Sequence, residues 1–267
     1  MAGRLTGIHR LWDLLPYMEH RFVETQSLVR EAASLIRDAK HLTAFTGAGM
    51  SVESGIPPFR GPGGLWDRYD QRILEISYFL ARPEACWPVI REIFYDHFAK
   101  AQPNRGHAVL AELEAEGRLK ALITQNIDDL HTRAGNRSVI EFHGNSRLLV
   151  CLDCEKRVEA SSVELSRRPP RCACGGVYKP DFVFFGEGIP PRAKGAADEA
   201  ARRTDCMLVI GSTGEVYPAA AIPQAAARRG ARIIEINPEP SAFTDSIAEL
   251  RLAMPAARAL DLLKRAL

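Results

Sequence analysis

The chain has 267 residues, enough to bury the core of one large domain or of one large and one small domain. Its 35 basic and 33 acidic residues leave a formal net charge of +2, so charge gives no indication of a nucleic-acid partner or an anionic membrane surface. A hydrophobic fraction of 46% is typical of a globular protein, and no apolar stretch approaches the roughly 20 residues of a membrane-spanning helix. The amino terminus has no signal-peptide core, so we expect a soluble, cytoplasmic protein.

Helix-like and strand-like segments alternate along most of the chain. Apolar side chains recur at helical spacing over residues 24–40, and the strand-like stretch 42–45 follows directly. Asn104 is typical of a helix N-cap and Gly117 of a helix end. Further strands are predicted at 121–124, 139–142, 206–210 and 232–237, and further helices at 192–203, 218–229 and 255–266. This alternation predicts an α/β fold with a mainly parallel, doubly wound sheet.

Two segments interrupt the α/β pattern. Residues 61–103 are helix-like and rich in aromatic side chains, and residues 148–178 contain four of the six cysteines. These four form the pattern Cys151-x-x-Cys154 and Cys172-x-Cys174, which favours a structural zinc site of four thiolates with no position left for water. Two disulfides are the alternative. The other cysteines, Cys86 and Cys206, are predicted to be buried and inert.

The stretch GAGMSVESGIPPFRG, residues 47–61, directly follows the first predicted strand. Gly47 permits a tight turn, and Gly49 lets backbone amides approach a pyrophosphate. Val52 replaces the third glycine of the dehydrogenase fingerprint, and no acidic residue ends a second strand about twenty residues later. The stretch therefore favours phosphate binding in something other than an ordinary dehydrogenase, with a structural turn as the alternative.

Seven segments occur together in an order and spacing that resemble the sirtuins, NAD-dependent protein lysine deacylases. They are GAGMSVESGIPPFRG, TQNIDDLH (124–131), FHG (142–144), the four cysteines, KPDFVFFGE (179–187), GSTGEVYPAA (211–220) and INPE (236–239). The resemblance implies a large Rossmann-like domain formed by residues 1–60, 104–147 and 179–267. It also implies a smaller domain with a helical insert, 61–103, and a zinc ribbon, 148–178.

The resemblance implies a reaction in which the acyl-lysine amide oxygen attacks the NAD ribose carbon and displaces nicotinamide, forming an alkylimidate. A ribose hydroxyl, deprotonated by a histidine, then attacks the imidate carbon, so that the acyl group is transferred from lysine to ADP-ribose. His143 is the expected base, because an imidazole with a pKa near 6.5 is mostly neutral at pH 7. Asn126 is expected beside it as the second catalytic residue.

The cofactor contacts are implied position by position by the same resemblance. Phe59 is expected to cover the reactive ribose face and exclude water, and Arg60 to provide charge for phosphate. Helix capping is the alternative role for Asn126 and Asp128. The full set of expected NAD-binding residues is Gly47, Ala48, Gly49, Ser51, Ile56, Phe59, Arg60, Gln125, Asn126, Ile127, Asp128, His143, Gly211, Ser212, Thr213, Asn237 and Glu239.

The apolar run in KPDFVFFGE is either a buried strand or, as the resemblance implies, a strand that recognises an acylated lysine in a protein substrate. Backbone groups of Val183, Gly186 and Glu187 are then expected to pair with the peptide, and Phe185 to line the acyl tunnel. Tyr69 and Arg72 match an acid-binding Tyr-x-x-Arg pair but come too early in the chain, so neutral acyl groups are expected. A protein ADP-ribosyltransferase and a non-catalytic zinc-containing peptide binder are the alternative functions.

Overall fold

The structure is a computed structural model that describes residues 15–60, 63–166 and 169–267, with the backbone alone described for residues 15–22. Its strands are β1 (Leu42–Thr46), β2 (Leu119–Thr124), β3 (Val139–Glu141), β4 (Gly144–Cys151), β5 (Arg157–Glu159), β6 (Tyr178–Phe182), β7 (Cys206–Ile210), β8 (Arg232–Ile236) and β9 (Leu250–Leu252). Its helices are α1 (Leu15–Asp38), α2 (Ile76–Ala81), α3 (Pro83–Ile90), α4 (Arg105–Ala115), α5 (Leu130–Arg133), α6 (Pro191–Arg203), α7 (Ala221–Arg228) and α8 (Ala256–Ala266).

Six of the strands form one parallel sheet in the order β3-β2-β1-β7-β8-β9. The chain proceeds outward from β1 to β3, returns to place β7 beside β1, and then proceeds outward in the other direction. The strand order reverses between β1 and β7, and at such a position doubly wound sheets have their ligand-binding crevice, at the carboxyl edge of the sheet. This confirms the predicted doubly wound α/β fold and locates its ligand-binding edge.

Both faces of the six-stranded sheet are covered, as the mostly apolar strands require. Ala44 and Phe45, which are adjacent in β1, contribute to opposite cores because successive side chains of a strand point to opposite faces. The first core lies under α1, α4 and α8, and the second core lies under α6 and α7. No helix in the described residues is both long enough and apolar enough to cross a bilayer.

Strands β4, β5 and β6 form a separate antiparallel sheet in the order β5-β4-β6. This sheet shares a third core with α2, α3 and the turns around them, in which the largest buried side chains include Trp87, Phe79 and Phe94. We call the antiparallel sheet, α2, α3 and their shared core the small module. The insert and the cysteine segment thus pack together although about 50 residues separate them in the sequence.

Five of the six strands of the central sheet agree with the predicted positions to within two residues. The pattern analysis missed β9, β4 and β5, which are short or only partly buried. The apolar run after Pro180 is a strand only as far as Phe182. Beyond it Phe185 makes an isolated parallel bridge to Glu75, so the run is not a continuous buried strand.

Candidate functional site

The loops after β1 and β7 contact each other backbone to backbone. The Gly47 N–H donates to the Ile210 carbonyl and the Gly49 N–H to the Gly211 carbonyl, both at 2.9 Å. A Cβ atom at Gly49 would lie 2.6 Å from the Gly211 Cα, closer than real Cβ contacts come. Gly211 has φ of +61°, which side-chain-bearing residues rarely adopt. Glycine is therefore required at both positions for the two loops to meet.

Contacts with two distant helices, α4 and α8, hold the glycine-rich segment in place. The Asn104 side-chain amide donates to the Met50 carbonyl at 2.9 Å and to the Ser54 hydroxyl at 3.0 Å. Asn104 is also the N-cap of α4, as predicted, and its side-chain oxygen accepts from the first turn of that helix. The Glu53 carboxylate accepts the Ala257 N–H at 2.7 Å, at the amino terminus of α8, where a negative charge is favoured.

The segment after β2 cross-links the loops that follow β1 and β7. The Gln125 side chain donates to the Ser212 hydroxyl at 3.0 Å. The Asn126 side-chain amide donates to the Gly47 carbonyl at 3.0 Å and to the Ser51 hydroxyl at 3.2 Å. Three strand ends are thus joined by side-chain hydrogen bonds at the crevice.

Asp128 is a half-buried carboxylate beside this network. Its Oδ2 accepts from the Ser51 hydroxyl at 2.6 Å, and its Oδ1 accepts the Leu130 N–H at 3.0 Å where α5 begins. Burial raises the pKa of Asp128, and the hydrogen bonds from Ser51 and Leu130 oppose this by favouring the ionised form. Helix capping and membership of the polar network therefore coexist at this residue.

His143 follows β3 and directly precedes β4. Its Nδ1 lies 3.1 Å from the Gln125 carbonyl, and because a carbonyl only accepts, the proton of a neutral ring resides on Nδ1. Nε2 is then the basic nitrogen. Burial lowers the pKa of His143, and the hydrogen bond to Gln125 partly opposes this. The ring is therefore neutral at pH 7 and can accept a proton.

Three aromatic rings form a continuous row between the glycine-rich segment and the small module. The ring centroids of Phe59 and Trp66 are 5.6 Å apart, and those of Trp66 and Phe185 are 6.3 Å apart. The backbone N–H of Trp66 also donates to the Phe59 carbonyl at 3.2 Å. Phe185 is 40% exposed, in contrast to the buried Phe184 beside it. An apolar wall with one accessible ring thus borders the crevice.

The backbone of the segment after β6 is partly engaged within the chain. The Val183 N–H donates to the His143 carbonyl at 2.8 Å, and the Phe185 N–H donates to the Leu74 carbonyl at 2.8 Å. The Glu187 N–H closes a turn to the Phe184 carbonyl at 3.0 Å. The segment therefore connects His143 directly to the small module, and these three amides already have partners.

The four clustered cysteines lie at the other end of β4. Their Sγ atoms are all within 4.8 Å of one another, and the Cys151–Cys174 and Cys154–Cys172 sulfur pairs are 3.5 and 3.8 Å apart. A disulfide would require about 2.05 Å, whereas thiolates about 2.3 Å from a tetrahedral zinc lie about 3.8 Å apart. The donor set and its spacing fit zinc, and the cysteines are free.

The cysteine cluster is remote from His143. Strand β4 begins at Gly144, next to His143, and ends at Cys151. These two residues pair with Phe182 and Tyr178 of β6, which are four residues apart, so about 13 Å separates the two ends of β4. A metal held by the cysteines is therefore too far away to contact groups at His143.

The remaining predicted cofactor residues differ in their hydrogen bonds and in their burial. The Asn237 side chain donates to the Ser212 carbonyl at 3.2 Å, which joins the ends of β7 and β8. Ile56 and Ile127 are buried in the third core rather than in the polar network. Ala48 is half-buried, and Arg60, Thr213 and Glu239 are exposed.

Comparison with known proteins decides the family. The model of the Sir2 family matches residues 47–218 of the chain. The chain belongs to the Sir2 family. It is 46% identical over 217 residues to NAD-dependent protein deacylase 2 of Pyrobaculum aerophilum, with 79% of this chain and 85% of the relative covered. It is 42% identical over 241 residues to the NAD-dependent protein deacylase of Aeropyrum pernix, with 90% and 97% covered.

Solved Sir2 structures share the fold. A Sir2 homologue mutant in complex with ADP-ribose superposes with a TM-score of 0.84 at 41% identity, covering 88% of this chain and 95% of that one. A Sir2 complex with a p53 peptide and NAD⁺ gives a TM-score of 0.81 at 37% identity, covering 87% and 95%. The sirtuin resemblance expected from the motifs is therefore confirmed.

Sequence reasoning missed several residues of this Sir2 site. Trp66 lies in the aromatic insert. The sequence shows the aromatic composition of this insert but not the contacts of Trp66 with Phe59 and Phe185. Glu53 is a charged residue in a turn, and no pattern predicts that its partner is the start of α8. These contacts depend on tertiary structure, so a single sequence offers little to detect them.

A buried pair of histidines is connected to Asn126 of this site by hydrogen bonds. The rings of His107 and His131 are 4.7 Å apart, and burial lowers the pKa of both. His131 Nε2 lies 3.0 Å from the Thr46 hydroxyl, which donates to the Thr124 hydroxyl at 2.9 Å. Thr124 in turn accepts the Asn126 N–H at 3.0 Å. Both histidines are hydrogen-bonding and packing groups, and the chain of hydrogen bonds from His131 ends at Asn126.

Proposed function

We propose that this Sir2-family chain is an NAD-dependent protein lysine deacylase that converts NAD, an acylated lysine and one water into nicotinamide, free lysine and O-acyl-ADP-ribose. The names of its relatives support this reaction, as do solved Sir2 structures with NAD⁺, ADP-ribose or peptide. The observation that carries the proposal is the neutral imidazole of His143, oriented by the Gln125 carbonyl at the carboxyl edge of the sheet.

NAD supplies an electrophilic ribose carbon with nicotinamide as its leaving group. In our proposal the loops after β1 and β7, which we call the two glycine loops, bind the phosphates and the adenosine half of NAD. The residues involved are Gly47, Ala48, Gly49, Gly211, Ser212, Thr213, Asn237 and Glu239. Arg60 adds positive charge at the rim. The Phe59 ring, packed on Trp66, excludes water from the ribose face.

Gln125, Asn126, Ile127 and Asp128 provide the contacts around the reacting half of the cofactor. The Asn126 amide nitrogen donates to the Gly47 carbonyl and the Ser51 hydroxyl, and in our proposal the side-chain oxygen of Asn126 binds the ribose and orders water. Ile56 and Ile127 form an apolar side of this pocket. Asp128 is held by Ser51 for the nicotinamide amide. Nε2 of His143 accepts the proton of the ribose hydroxyl.

We propose that the acylated lysine of a protein substrate enters between the two glycine loops and the segment Val183–Glu187. Phe185 borders the acyl chain, and the extended peptide pairs with the Val183 carbonyl and the Gly186 backbone, since the Val183 and Glu187 N–H groups already have partners within the chain. The acyl group is neutral, with acetyl the first candidate. In support, the Arg72 guanidinium is bound to Asp70, and the Tyr69 hydroxyl donates to Glu92 at 2.8 Å.

We further propose that one zinc ion joins Cys151, Cys154, Cys172 and Cys174 in a structural role. The spacing of the sulfur atoms supports the tetrahedral site, and the length of β4 supports its separation from the chemistry. With no open coordination position, the metal holds the small module together rather than activating water.

The deciding experiment incubates the protein with NAD and an acetyl-lysine peptide. We expect nicotinamide release that requires the acylated peptide, together with O-acetyl-ADP-ribose in mass spectra. The matched control, His143→Ala, is expected to lose about 10²–10⁴-fold in rate because the general base is removed. ADP-ribose attached to the peptide would instead indicate a transferase. Peptide binding without nicotinamide release would indicate a non-catalytic binder.

A further inference from the structure

A buried ion pair lies beneath the segment that we propose binds the acylated peptide. The Lys179 side chain is only 6% exposed, and its ammonium lies 3.0 Å from a carboxylate oxygen of Glu187, whose side chain is 26% exposed. Lys179 lies in β6, before this segment, and Glu187 is the last residue of the segment, so the ion pair closes a loop over residues 180–186.

The Lys179 ammonium has a partner for each of its three protons. It donates to the Pro180 carbonyl at 3.0 Å and to the Phe182 carbonyl at 2.7 Å, in addition to Glu187. It also lies 4.3 Å from the centre of the Phe184 ring, where a cation is attracted to the ring face. Only the charged form provides three donors, and a charge this deeply buried requires its counter-ion.

Glu187 fixes the other side of the same segment. The oxygen that contacts Lys179 also accepts the Phe184 N–H at 2.6 Å, and the Glu187 N–H donates to the Phe184 carbonyl at 3.0 Å. The pair therefore grips the backbone at Phe182 and Phe184, the two residues on either side of Val183.

We propose that Lys179 and Glu187 are positioning residues that shape the segment 183–187 for binding of the acylated peptide. This rests on the proposed deacylase function and assigns Glu187 a role through its inward-facing carboxylate. Neither side chain touches the reacting atoms. They act through the Phe182 carbonyl and the Phe184 N–H, so their loss weakens peptide binding rather than NAD binding.

The test compares Glu187→Gln and Lys179→Met with the wild type by hydrogen exchange and by steady-state kinetics. We expect amide exchange at residues 184–187 to accelerate about tenfold or more, since hydrogen bonds to a charged group are lost. The KM for an acetyl-lysine peptide is expected to rise about tenfold, while the KM for NAD stays within about twofold. The matched control is Asp198→Asn, which breaks the exposed Lys194–Asp198 pair of α6 at 2.7 Å and should change neither quantity.

The double variant Lys179→Met/Glu187→Gln decides whether the two side chains act as a pair. Because neither charge is then buried without its partner, its peptide KM should be lower than the product of the two single effects predicts. Multiplicative effects would overturn the pairing. An unchanged peptide KM in both single variants, or accelerated exchange spread evenly over the whole chain, would overturn the positioning role.

Hydrogen exchange needs no catalysis, so it separates this proposal from the proposed function. If the wild-type protein releases no nicotinamide, the deacylase proposal fails. Exchange at residues 184–187 then still reports whether the pair shapes the segment. Unaccelerated exchange in an active enzyme would defeat the positioning role alone.

Discussion

At His143, one backbone carbonyl determines which ring nitrogen carries the proton. Gln125 accepts from Nδ1, and the Gln125 side chain simultaneously donates to Ser212 in the loop of another strand. The orientation of the base is therefore coupled to the loop that we propose binds the adenosine half of NAD. If the Gln125 side chain moved away from Ser212, the Gln125 carbonyl that orients His143 would be disturbed as well.

The pH dependence of peptide deacylation tests this arrangement at the level of the residue. Burial holds the pKa of His143 below its ordinary value of 6.5, and only the neutral ring accepts a proton. Activity should therefore be retained as the pH falls to 6.5 and then decline as His143 becomes protonated. The profile of kcat/KM between pH 5 and 8, roughly the range in which histidine titrates, measures this. An acid limb centred above 6.5 and absent from His143→Gln would contradict the assignment.

Between elements, the contact of the β1 and β7 loops leaves no space for a side chain. Gly49→Ala would place a Cβ atom 2.6 Å from the Gly211 Cα and 3.0 Å from its carbonyl oxygen. The loops must separate, which should cost about 1–3 kcal/mol in the free energy of unfolding and weaken NAD binding. Chemical denaturation and calorimetric titration with NAD measure the two effects.

Gly195→Ala is the matched control for that variant. Gly195 lies on the exposed side of α6, and a Cβ atom there meets nothing within 4 Å. The substitution should stabilise the protein by about 0.5–1 kcal/mol, because alanine is a better helix former than glycine, and leave NAD binding unchanged. Equal effects of the two substitutions would show that the loop contact is not the cause.

At the scale of the whole molecule, the separate cores predict that the folding of the small module depends on zinc more than the folding of the parallel sheet does. The third core belongs to the small module, whereas the first and second cores flank the parallel sheet. We also propose that the domains divide near residues 61, 104, 148 and 179. Chelation should therefore unfold the small module first, since zinc binding contributes on the order of 10 kcal/mol to the folding of such sites. Hydrogen exchange resolved along the chain measures this.

Zinc content provides the matched comparison for that prediction. Cys174→Ser removes one of four thiolates and should abolish stoichiometric zinc, whereas Cys206→Ala, in β7 of the parallel sheet, should retain it. Loss of peptide-dependent activity should accompany loss of zinc, because the small module carries β6 and the segment that follows it. Full zinc content in Cys174→Ser would refute the four-cysteine site.

The sequence by itself determined the fold class, most of the parallel strands and the cysteine cluster. These follow from local patterns: buried strands are continuous apolar runs, and paired cysteines lie close along the chain. The motifs also determined the family and the choice of His143.

Only the tertiary structure decided how these parts contact one another. The Glu53 carboxylate at the start of α8, the Trp66 ring between Phe59 and Phe185, and the pairing of Lys179 with Glu187 all depend on how distant elements pack. Strands β4 to β6 likewise gain stability from pairing and from the third core rather than from their own residues. Such contacts join elements that are far apart in the chain, so they produce no periodic pattern of residues from which the sequence could predict them.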